Sequence, residues 1–184
     1  MKTPLLFALS VATSLALPVL AFSAPAQPEG SFASRTSTWY FAESAESCRK
    51  NGGEPLGEEE GEKKEQPKEE EPSPVECVIP VDDVATVSRE NGALKLAVTT
   101  WGSNTHSCNW ENKATLSGNK LVSEEIVEDF EDGKPGLCRV IVQYLDENTV
   151  SVSTEGNACR WFCGARAFGL GIEKAVRTDP KEIK

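Results

Sequence analysis

The stretch VATVSRENGALKLAVTTW, residues 84–101, reads as two β-strands joined by Asn91-Gly92. Asn-Gly is the strongest two-residue hairpin signal, because both positions must take positive φ. On the second strand Leu94, Leu96 and Val98 alternate with Lys95, Ala97 and Thr99, the period of a half-buried strand. Working outward, further short runs at 108–116, 119–127, 137–145 and 149–154 are separated by Ser117-Gly118, by a long loop over 128–136 and by 146–148. Cys138, Val140, Val142 and Tyr144 share one face of the 137–145 run and Ile141 and Leu145 the other, so that strand is expected to be central. Helix is scarce, with one candidate turn between Cys159 and Ala167. The expected class is all-β: a small antiparallel meander or barrel over 77–176, with a short C-terminal helical turn and a flexible tail over 177–184.

Toward the N-terminus the pattern changes twice. Residues 54–76, EPLGEEEGEKKEQPKEEEPSPVE, hold ten Glu, three Lys and four Pro and almost nothing apolar, so they cannot offset the entropy of ordering. They are expected to form a disordered acidic insert, first a solvated spacer and second an electrostatic lure for a basic partner. Residues 24–53 hold one strand candidate, Ser37–Phe41. Before them, Lys2, the apolar run Leu5–Val19 and Ala21-Phe22-Ser23 have the pattern of a secretory signal over 1–23. Removing it takes the net charge from -10 to about -11, since Lys2 is its only charge. Such a balance argues against nucleic acid and favours a cationic protein partner. No later stretch is long and apolar enough to span a bilayer, so a periplasmic or secreted destination is expected, and the absence of Asn-x-Ser/Thr sequons points toward a bacterial periplasm. The oligomeric state is left open.

All six cysteines follow the expected cleavage point, where disulfides persist. Cys48 and Cys77 flank the acidic insert, and a bond between them would close about 30 residues and contribute roughly 3.5 kcal/mol in the chain-entropy model. Following the meander up and down brings Cys108, Cys138, Cys159 and Cys163 to one pole. Their pairing turns on Cys159-Arg-Trp-Phe-Cys163. In a helical turn a local Cys159–Cys163 bond is allowed, with Cys108–Cys138 beside it; in a strand the ends lie about 13 Å apart and the bond is forbidden. The local arrangement is slightly favoured over Cys138–Cys159 with Cys108–Cys163.

The same pole collects Trp101, Asn104, His106, Trp110, Asp129, Phe130, Arg160, Trp161 and Arg166. Aromatics and Arg on adaptable loops have the composition of a protein-binding hot spot. The competing reading is that Trp101, Trp110 and Phe162 simply plug the end of the barrel. His106 is the only histidine, so no His-His metal site is possible. Ser103 lies three residues before it, but no Gly-x-Ser-x-Gly elbow and no orienting acid accompany the pair. No catalytic residue, cofactor or metal is expected.

From Trp101 to Lys174 the order Cys108-Asn-Trp, Cys138-Arg-Val and Cys159-Arg-Trp-Phe-Cys163-Gly-Ala-Arg-Ala resembles small periplasmic cysteine-stapled β-barrels, the inhibitors of c-type lysozyme among them. The resemblance implies a non-enzymatic inhibitor or immunity-type protein against a cationic cell-wall hydrolase; the Ser-Gly-x-x-Tyr inhibitory loop of that family is absent, with Gly102–His106 a loop in a comparable place, and the rim loops are expected to enter the partner's cleft. The alternatives are a small-ligand carrier using the barrel lumen, an envelope redox protein, and a structural envelope protein with no discrete ligand.

Overall fold

The computed structural model describes residues 28–57 and 74–183, so the expected signal segment and most of the acidic insert lie outside the described residues. Strands β1 (Gly30–Ala42), β2 (Glu54–Pro55), β3 (Val75–Glu90), β4 (Ala93–Trp101), β5 (Ser107–Ser117), β6 (Lys120–Glu131), β7 (Lys134–Tyr144), β8 (Thr149–Glu155) and β9 (Ile172–Thr178) run antiparallel. The sheet order β1-β9-β8-β7-β6-β5-β4-β3, with β1 pairing back onto β3, closes an eight-stranded barrel; β2 adds two residues to the outer edge of β3.

Turn chemistry fixes the meander. Asn91 and Gly92 take φ 50° and 84°, as the hairpin requires. A second turn of this kind, Asp132-Gly133 at φ 53° and 69°, replaces the long loop expected over 128–136: β6 continues to Glu131 through an irregular register and β7 starts at Lys134. β3 is also longer than the expected run from Val84. Pro80, Asp82 and Asp83 look like strand breakers, yet Pro80 lies on the exposed face, Asp82 meets Arg35 across the ladder at 2.8 Å, and Asp83 accepts the N–H of Trp101 at 2.8 Å. The ends of the acidic stretch are extended too, with Glu54-Pro55 paired to Val78-Cys77. A short helix, α1 (Ala45–Lys50), starts at Ser44, whose side chain accepts the N–H of Ser47. Arg177 and Thr178, assigned to the tail by the sequence, are paired with β1, and a single turn follows at Pro180–Glu182.

Eight strands give a lumen just wide enough for side chains to fill. Phe32, Leu96, Val98, Leu121, Val140, Val142, Tyr144 and Val150 fill it, each almost wholly buried. Tyr144 stands edge-on to Phe32 at 6.1 Å and donates its phenol to the Pro28 carbonyl at 2.8 Å, while Arg177 lies over the Phe32 ring and bonds the Glu29 carbonyl. This is the upper pole.

The lower pole is built differently. β5 pairs with β6 only at Thr115–Ser117, and β9 pairs with β1 only at Ser31–Ala33. Below these points the wall parts into two half-sheets, β1-β3-β4-β5 and β6-β7-β8. Side chains bridge the β5/β6 gap where the ladder stops: Trp110 Nε1 donates to Ser123 Oγ at 3.0 Å, and Ser123 Oγ donates to the Lys113 carbonyl at 2.8 Å.

Burial pushes the Tyr144 phenol up to about 12, against an ordinary value near 10. Between those values the unfolded chain loses a proton that the native state keeps, so stability should fall by about 2 to 3 kcal/mol as pH rises from 10 to 12. Tyr144→Phe should abolish that alkaline decline while costing about 1 kcal/mol at neutral pH for the lost bond to Pro28, both read by chemical denaturation across pH.

Candidate functional site

Residues 156–171, between β8 and β9, fold back into the lower opening as a plug. Cys159–Phe162 is a 3-10 turn and Cys163 is extended at φ -117° and ψ 141°. Three residues per turn send residues four apart to different faces, so Cys159 and Cys163 point to opposite walls. The expected local bond is therefore corrected. Cys159 bonds Cys138 on β7, with Cα atoms 4.6 Å apart, and Cys163 bonds Cys108 on β5 across an isolated antiparallel bridge. Backbone bonds follow the same division: Ala158 N–H donates to Leu137 O and Gly164 N–H to Ser107 O. Cys48 bonds Cys77, tying α1 to the start of β3. Three disulfides suit an oxidising extracytoplasmic compartment. Among the described residues no helix is long and apolar enough to cross a membrane.

The plug also presses on the loop after β4. Gly102 lies so close that a Cβ there would sit 2.4 Å from Ala167 Cα and from the Arg166 carbonyl. Ser103 donates both its N–H and its hydroxyl to that carbonyl, and Thr100 donates to Gly169 O at 2.6 Å. Asn104 and Thr105 take left-handed φ near 55°, and the turn is pinned by Thr38, which donates to Gly102 O and accepts the N–H of Thr105. The ring of His106 packs on Gly164.

The nine rim residues are thereby sorted. Trp110 is 2 % exposed and edge-on to Phe162 at 4.8 Å, so it belongs to the core. Trp101 is half-buried beside Asp83, whose carboxyl is pushed up by burial against the lowering effect of the Trp101 N–H, with Asp82 adding repulsion. Asn104 and His106 are half-buried on the 102–106 turn, and Asp129 lies on β6 next to Phe130. Phe130, Arg160 and Trp161 form one cluster: Arg160 lies over the Phe130 ring at 5.2 Å and pairs with Glu131, and Trp161 meets Phe130 edge-on at 6.4 Å. Trp161 is 58 % exposed, and Arg166 is exposed farther along the plug.

The reading from sequence missed Phe168. At 87 % exposed it is the most exposed large apolar side chain among the described residues, and with Phe130, Arg160 and Trp161 it borders a groove of about 610 Å³ along the plug. The signal was present in Gly164-Ala-Arg-Ala-Phe-Gly-Leu-Gly171, where small residues on both sides leave nothing to cover a phenyl ring. The plug holds Arg160 and Arg166 and no carboxylate, a cationic aromatic tip on a chain of net charge -10. Among the described residues no group of three or more His, Cys, Asp or Glu could hold a metal ion.

No family model, curated protein or solved structure matches the chain.

Each plug disulfide restrains a different length of chain, 55 residues for Cys108–Cys163 and 21 for Cys138–Cys159. Replacing the first pair by alanines should cost about 4 kcal/mol and the second about 3 kcal/mol, measured by chemical denaturation. Non-reducing peptide mapping should recover both cross-links and no Cys159–Cys163 peptide.

Proposed function

We propose that this protein is an exported, non-enzymatic binding module, its signal over 1–23 removed on the way to the periplasm, that occludes a cationic cell-wall hydrolase or an incoming toxin with the tip of the plug. The observation that carries the reading is the exposure of Trp161 and Phe168 on a segment disulfide-bonded to both halves of the barrel. Rigid aromatic anchors beside Arg are the groups that dominate protein interfaces, because they bury much area at little entropic cost. Charge has two roles. The net charge of about -11 that remains once residues 1–23, with Lys2, are removed attracts a basic partner at long range. At contact, Arg166 complements the carboxylates that glycoside hydrolases carry in their clefts, while Arg160, paired with Glu131, holds Phe130 in the aromatic cluster. A lumen filled by Phe32, Leu96, Leu121 and Tyr144 weighs against the small-ligand carrier, and six cysteines all in disulfides weigh against a redox protein.

A cationic c-type lysozyme is the probe. The mature chain should inhibit cell lysis by it, with an on-rate that falls about tenfold between low and physiological salt. Trp161→Ala and Phe168→Ala should each weaken binding about 30-fold, through the off-rate, with the folded structure unchanged by circular dichroism. Absence of inhibition, or an on-rate indifferent to salt, would overturn the reading for this partner class.

A further inference from the structure

The parting of β9 from β1 leaves more than an opening for the plug. β1 pairs with β3 along all of Gly30–Ala42, but its other edge is paired only as far as Ala33. Among the described residues none pairs with the outer edge of Ser34–Ala42. Which groups that edge presents follows from the ladder. Arg177 donates its N–H to Asn148 O, so the N–H of Val176 points the other way, at its partner Ala33. β1 has no bulge, so the side that Ala33 faces also receives the N–H and C=O groups of Arg35, Ser37, Trp39 and Phe41. Pro80 agrees: it stands opposite Ser37 without an N–H, as it can only where Ser37 points away from β3.

Open edges are normally blunted by Lys, Pro or a bulge. Ser34–Ala42, SRTSTWYFA, has none of these, and its one charge, Arg35, is drawn to Asp82 across the ladder. The outward face instead carries Trp39 edge-on to Phe41 at 5.5 Å, with Phe41 58 % exposed.

We infer that this edge pairs antiparallel with the same edge of a second copy of the chain, about a two-fold axis at Thr38. That register sets the four open residues against one another: Ser37 faces Trp39 of the second copy, and Arg35 faces Phe41 of the second copy. Each pair recurs by symmetry, every exchanged bond joins groups otherwise left to water, and the Arg35–Phe41 match places a cation beside an aromatic ring. The two barrels then share one continuous sheet. The surface is independent of the binding proposed for the plug.

Sedimentation velocity of the mature chain over about a hundred-fold dilution should show a concentration-dependent dimer. Amide exchange of Arg35, Ser37, Trp39 and Phe41 should slow as concentration rises, while exposed amides elsewhere keep their rates. Ser37→Pro removes one edge donor per copy and should weaken the dimer about 30-fold, whereas Ser37→Ala, which keeps the N–H, should leave it intact. If Ser37→Pro fails to fold, Phe41→Lys, on an exposed side chain, should dissociate the dimer in its place. A monomer at every concentration overturns the inference, as does a dimer that persists in a folded Ser37→Pro variant or whose four edge amides exchange as in the monomer.

Discussion

The architecture of the lower pole depends on one constraint, the divergence of Cys159 and Cys163 from a single 3-10 turn. Below the β5/β6 and β1/β9 pairings no ladder holds the two half-sheets together. Their covalent connection there is the plug, bonded through Cys163 to β5 and through Cys159 to β7. An α-helical turn would have let the two cysteines meet and left the halves unjoined. Trp110, Phe130 and Phe162 then fill the space that the parted wall opens, so core and cross-links are parts of one solution.

Where local chemistry alone sets conformation, the chain can be read directly. Asn91-Gly92 and the alternation of Leu94, Leu96 and Val98 give the first hairpin. The one-sided run Cys138, Val140, Val142, Tyr144 gives a strand whose inner face fills the barrel. Conformation set by distant partners is not legible in the same way. Asp82 and Asp83 mark a turn until Arg35 and the Trp101 N–H, dozens and nearly twenty residues away in sequence, satisfy them. Asp132-Gly133 is as strong a turn signal as Asn91-Gly92, but the crowding of acids around it makes the whole segment look like a loop. β9 carries Glu173, Lys174 and Arg177 among few apolar residues, and what makes it a strand is the presence of β1 and β8 on either side.

The candidate site divides along the same line. That Arg160, Trp161 and Arg166 lie together follows from their closeness in sequence. Trp110 faces inward because it lies two residues from Cys108 on one strand, so a buried cysteine fixes a buried indole. Phe168 was hidden by the opposite circumstance, since a run of Gly and Ala gives no periodicity from which to assign a face. Asymmetry of charge separates tip from body: the carboxylates crowd onto β6 and the acidic insert, and the plug has none.

The barrel is sealed by its first strand meeting its last, with Ser31 opposite Thr178. Closure therefore cannot begin until almost the entire polypeptide is available, and the loop to be closed is nearly as long as the domain. Folding of such a topology is late and slow, and until that last contact forms both end strands keep an unpaired edge.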